Sequence, residues 1–150
     1  MIYLIPFLVI LLDQLTKAWA LSGLSLHRAT AVIPGFNLFL TFNPGISFSF
    51  LTSNSPAMPW ILSAFALIIC GLIVYWLGRE QDRMTRIGLT LILGGALGNV
   101  IDRIRFGAVV DFLDFYIGDY HWPAFNIADS AICIGVALIL IRSLQKKEKK

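Results

Sequence analysis

Four apolar runs divide this chain, and each is close to the length that crosses a bilayer. They are Ile2 to Ala20, Trp60 to Leu77, Ile87 to Ile101 and Ala124 to Leu144. A helix needs roughly 20 apolar residues to span the hydrocarbon core. Lipid offers the backbone no partners, so a span must satisfy its own N–H and C=O groups. The runs predict an all-α membrane protein with four transmembrane helices, at about residues 2–20, 60–77, 87–104 and 124–144.

Charge supports this. Only 14% of residues are charged, against about a quarter in a soluble domain. No separate soluble domain fits in 150 residues, so a single integral-membrane domain over 1–150 is expected. The tail from Arg142 to Lys150 is basic. We read it as a solvated end that sets topology, not as a nucleic-acid site, and expect membrane lipids, not nucleic acid, as partners. Ala18-Trp19-Ala20 has the small-x-small form of a leader cleavage site, but Asp13 and Lys17 interrupt the apolar stretch before it. The first run therefore reads as a retained helix. Cys70 and Cys133 lie in apolar runs without a CxxC pair and read as packing residues.

Eight of the 12 Lys and Arg residues fall in the loop Gly78 to Arg86 and the tail. The positive-inside rule then places both termini in the cytoplasm. Two loops face outward, Leu21 to Pro59 and Asp102 to Pro123. In the first, Phe36, Leu38, Leu40 and Phe42 alternate along the chain, and Ile46, Phe48 and Phe50 do so after Pro44-Gly45. Period-two patterning around a Pro-Gly break predicts a small β-hairpin or sheet over about residues 30–52. Its apolar face is expected against the membrane surface, a lipidated ligand or the helix ends.

The polar residues of three helices converge. Asp13 and Lys17, four apart, lie toward the outer end of the first helix. Asn99, Asp102 and Arg103 lie at the outer end of the third, and Asn126 and Asp129 near that of the fourth. Charged groups in lipid are costly and usually functional. Gly94, Gly95 and Gly98 predict close packing of the third helix beside them.

Elimination narrows the chemistry. His27 and His121 are outside the runs and there is no HExxH, which argues against zinc and Ser-His proteases; no metal or cofactor is expected. The carboxylates Asp13, Asp102, Asp111, Asp114, Asp119 and Asp129 remain. Asp13 has Lys17, and Asp102 has Arg103 beside it. Asp114 and Asp119 read as loop residues without an anchor, Asp114 solvated. Asp111 follows Val109-Val110, and Asp129 has no cation within a turn. Unpaired carboxylates in apolar settings are the ones most readily tuned for acid-base work. The alternatives are a plain loop carboxylate at Asp111 and a relay or structural hydrogen bond at Asp129. At this level an intramembrane hydrolase, a proton-coupled transporter and a non-catalytic lipid-binding protein all stay open. The apolar inner halves of the helices speak against a transport path.

Five blocks carry a resemblance. Asp13-Gln14-Leu15-Thr16-Lys17, Asn43-Pro44-Gly45-Ile46-Ser47-Phe48, Gly94 through Arg103, Val109-Val110-Asp111-Phe112 and Pro123 through Asp129 occur in order. Together they resemble the lipoprotein signal peptidase (signal peptidase II) family. Ser47-Phe48-Ser49 departs from the commoner Ala-Phe-Gly. The resemblance implies an aspartic endopeptidase of the bacterial inner membrane, with its active site toward the periplasmic leaflet. It would remove signal peptides from prolipoproteins, cutting just before a diacylglyceryl-modified cysteine. Asp111 and Asp129 would be the catalytic pair. Asn43, Gly45, Asn99, Arg103 and Asn126 would shape the site and hold substrate, with Asp13, Lys17 and Asp102 in support. The hairpin would be a periplasmic cradle for substrate. A globomycin-type peptide inhibitor is an expected ligand, and a monomer is the expected state.

Overall fold

The computed structural model describes residues 2–45 and 56–148. Four helices are long and apolar enough to cross a membrane: α1 (Leu4–Gly23), α2 (Met58–Arg79), α3 (Arg83–Phe106) and α4 (Ile127–Glu148). Each starts or ends within a few residues of the position predicted from hydropathy. Local chemistry sets several ends. Pro59 opens α2, where its missing N–H costs nothing. Asp82 caps α3 by accepting from the Thr85 N–H at 3.0 Å. Gly107, at φ 70°, closes α3 in the left-handed region.

The helix α3 is the central one. Half of its span is buried, against 17–22% in the other three helices. Its small residues make this possible. A Cβ on Gly98 would stand 2.8 Å from Asp13 Oδ2, and one on Gly95 would run into the Ala128 carbonyl of α4. The glycine-rich third helix thus packs against both neighbours at the depth of the polar residues.

A four-stranded antiparallel sheet sits at one end of the bundle, in the order β1-β2-β3-β4: β1 (Ala29–Ile33), β2 (Phe36–Asn43), β3 (Val109–Ile117) and β4 (Tyr120–His121). The predicted β region is present: a turn at Pro34-Gly35, with Gly35 at φ 87°, pairs β1 with β2, and β3 pairs with β2 on its other side. The predicted second strand, Ile46 to Phe50, lies outside the described residues. The sheet also extends into the second outer loop, where no strand was predicted. Val109 to Ile117 is largely apolar and ends at a Gly118-Asp119 turn, which is a hairpin signal. Between the pairs Leu38↔Leu113 and Thr41↔Asp111, β2 holds one residue more than β3. This bulge bends the ladder beside Asp111.

One face of the sheet rests on the helix ends. Leu40, Val110 and Phe112 pack with Ala20 of α1, and Leu38, Phe42 and Ile127 surround them. Leu38, Leu40 and Phe42 of β2 therefore lie against the bundle. Exposed apolar residues of the sheet include Val32, Ile33, Phe115, Ile117 and Tyr120, and Trp122 follows directly after β4.

Candidate active site

Asp111 and Asp129 reach the site by different routes. Asp111 is a β3 residue, 1% exposed, not a loop carboxylate. Asp129 lies in the first turn of α4 and is half-buried. Asn126 joins them. Its Oδ1 accepts from the Asp129 N–H at 2.8 Å, so it caps α4. With the oxygen committed, its Nδ2 donates to Asp111 Oδ1 at 2.7 Å. Asn43 repeats the device. Its Oδ1 accepts from the Gly45 N–H at 2.9 Å, closing a turn, and its Nδ2 donates to Asp111 Oδ2 at 3.0 Å. Gly45 is at φ 98°, and a Cβ there would also strike Leu62, so only glycine suits the turn.

The other Asp129 contact comes from α3. Asn99 Nδ2 donates to Asp129 Oδ1 at 2.8 Å, while Asn99 Oδ1 accepts from Lys17 Nζ at 3.1 Å. Lys17 is 2% exposed and also meets Asp13 Oδ2 at 2.8 Å and Asp102 Oδ2 at 2.7 Å. Its three N–H donors thus face three acceptors. Asp13 Oδ1 accepts from the Ala128 N–H at 2.9 Å, and Asp102 Oδ2 from the Val110 N–H at 3.1 Å. The buried carboxylates hold the chain next to each candidate aspartate in place. Gln14, which carried no assigned role in the sequence, donates to Asp102 Oδ1 at 2.9 Å and to Asp13 Oδ2 at 3.2 Å.

Two expectations are corrected. Asp102 pairs with Lys17 of α1, not with adjacent Arg103, since neighbours in sequence point to different sides of a helix. Asp114 is not solvated. It is 4% exposed and takes hydrogen bonds from Asn37 and His121. No local pattern announced this, because β2 and β4 supply both partners.

A cavity of about 600 Å³ opens on Asp129. Asn43, Gly45, Asn99 and Arg103 line it, with Leu62 and Ile134 on apolar walls and Trp122 to Phe125 along one side. Cys133, read as a packing residue, faces it as well. The buried Arg103 Nε has no hydrogen-bond partner among the described residues. Such a donor is costly to leave unpaired. A second cavity, about 620 Å³, is lined by aromatic and apolar residues such as Phe115, Ile117 and Trp122 and carries no carboxylate.

Burial pushes the Asp111 carboxyl up to about 7, and the neighbouring charge of Asp129 adds to this. The amides of Asn43 and Asn126 pull the other way without cancelling it. Asp111, with its raised carboxyl, and Asp129 thus set two carboxyl groups next to one cavity. That pair can protonate a carbonyl and activate a water.

The comparisons agree with one another. A model of the family described as Signal peptidase (SPase) II matches residues 5–145. The lipoprotein signal peptidase of Polynucleobacter necessarius subsp. necessarius (strain STIR1) is 50% identical over 143 residues, covering 95% of this chain and 88% of that protein. That of Syntrophus aciditrophicus (strain SB) is 49% identical over 148 residues, covering 95% of this chain and 91% of the relative. A bacterial membrane enzyme solved by the in meso method at 2.3 Å superposes with a TM-score of 0.86 at 33% identity, over 98% of this chain and 89% of the other. With four membrane-spanning helices, a sheet at one end and a match that runs nearly end to end, this chain belongs to the signal peptidase II family of membrane proteases.

Proposed function

We propose that this protein is an aspartic endopeptidase that removes signal peptides from diacylglyceryl-modified prolipoproteins, cutting just before the lipidated cysteine. The observation that carries the reading is the joining of Asp111 and Asp129 through Asn126 beside a cavity, with Asp111 raised to about 7. Membership of the family supports the substrate class.

The proton steps balance. Asp129, which lines the cavity, takes a proton from water as the oxygen attacks the scissile carbonyl. Asp111 gives its proton to the carbonyl oxygen, forming a neutral tetrahedral diol. Asp129 then passes its proton to the leaving nitrogen, and Asp111 recovers one from a diol hydroxyl as the C–N bond breaks. Asn43, Asn99 and Asn126 hold the two carboxylates. Arg103 lines the cavity and brings a guanidinium charge beside the bound peptide. Asp13, Lys17 and Asp102 keep the framework in register. The apolar walls suit an extended signal-peptide segment, and a globomycin-type peptide would compete for the same space. The active site lies toward the periplasmic face of the inner membrane, with both termini in the cytoplasm, and the enzyme works as a monomer among membrane lipids.

The test is direct. Purified protein is incubated with a prolipoprotein carrying diacylglyceryl on its cysteine, and products are identified by mass. Release of the intact signal peptide is expected. No shorter product, or cleavage anywhere except before the modified cysteine, would overturn the reading.

A further inference from the structure

The sheet carries a clasp of side chains that the proton steps leave unused. Asp114 on β3 accepts from Asn37 Nδ2 of β2 at 3.0 Å. His121 Nδ1 of β4 stands 2.9 Å from both Asp114 oxygens. Facing a carboxylate, Nδ1 is the ring nitrogen that carries the proton. The His121 ring also stacks on Tyr116, with centroids 5.1 Å apart. One buried carboxylate therefore ties three strands together.

What the clasp holds is the wall of the cavity. The strand β4 has only two residues and pairs with β3 at His121 and Tyr120 alone. So short a strand has little stability of its own. Directly after it come Trp122, Pro123, Ala124 and Phe125, which line the cavity on Asp129. Trp122 and Phe125 also line the apolar cavity, so this wall has open space on both sides. Packing alone does not locate it. At its far end Phe125 is held to β3 by backbone bonds with Phe112 and Leu113 and by stacking on Phe115; at its near end the anchors are the bond from Trp122 N to Phe115 O at 2.8 Å and the Asp114 clasp.

We propose that His121 and Asp114 are positioning residues for substrate binding: they hold the wall from Trp122 to Phe125 at the spacing the bound peptide requires. They take no part in proton transfer. The proposal rests on reading the Asp129 cavity as the substrate site.

The first variant is His121→Ala. The His121 side chain is 51% exposed, so its removal leaves the core intact. KM should rise about tenfold while kcat stays within about twofold, the pattern of lost binding without lost chemistry. His121→Asn restores an N–H donor near the place of Nδ1 and should bring KM back to within about threefold of the parent. An unchanged KM, a parallel loss of kcat, or an Asn variant no better than Ala would overturn the proposal. Hydrogen exchange gives a readout independent of cleavage. The Trp122 amide should exchange about tenfold faster in His121→Ala and recover in His121→Asn. Unaltered exchange at Trp122 rejects the clasp. Failure of the unmodified protein to cleave lipidated prolipoprotein would instead reject the functional reading, and exchange would still decide the clasp.

Discussion

Lys17 holds the amide oxygen of Asn99 at 3.1 Å, so it is the Asn99 N–H that faces Asp129, at 2.8 Å. The ammonium has no acceptor, and turning the amide over would set donor against donor. Lys17 belongs to α1 and Asp129 to α4, so a residue that touches neither aspartate of the proposed pair orients one of them.

Lys17→Met should therefore be costly. It leaves Asp13 and Asp102, both fully buried, facing each other's surroundings without a cation. Removing one partner from a buried ion pair costs about 3–5 kcal/mol. In detergent this should appear as a melting point lower by on the order of 10 °C. A variant that melts with the parent would show that the two carboxylates find other partners.

Asp111→Asn and Asp129→Asn should each nearly abolish cleavage per folded molecule. Asparagine keeps the shape but cannot exchange a proton. The double variant should be scarcely slower than either single one, because the pair acts as a unit. Asp119→Asn is the internal control, since Asp119 is exposed at the β3–β4 turn. Asp114 cannot serve, because it is buried and hydrogen-bonded. Substantial activity left in either single variant would mean another pair of carboxylates does the work.

The pH dependence has a definite sign. With the Asp111 carboxyl raised to about 7, the pair keeps its shared proton below that value and loses it above. The rate should fall about tenfold per pH unit on the alkaline side. Asn43 donates to Asp111 Oδ2 and favours its charged form. Asn43→Ala should thus move the alkaline limb to higher pH, whatever it does to the maximum rate. A limb that stays in place, or moves to lower pH, would put the titrating group elsewhere.

Topology can be read with fusions. Reporters placed after Lys150 and within residues 78–86 should behave as cytoplasmic, because eight of the 12 Lys and Arg residues lie in those segments. A periplasmic signal from either would invert the orientation, and with it the leaflet assigned to the site.

Hydropathy and spacing alone determined the four helices and the gathering of Asp13, Lys17, Asn99, Asp102, Arg103, Asn126 and Asp129 at one end of the bundle. Both follow from local properties: the length of an apolar run, the direction of alternate spans, and the position of a polar residue along each. The Asn126 cap is local too, since it joins residues three apart. Tertiary structure decided who pairs with whom. Asp102 meets Lys17 across 85 positions, a contact with no trace in the residues around either. Pairing of β2 with β3 takes Asp111 out of a loop, and Asp114 becomes buried because Asn37 and His121 reach it from separate strands. Burial and electrostatic shift depend on what lies nearby in space, and a local pattern carries no record of partners that folding brings from elsewhere in the chain.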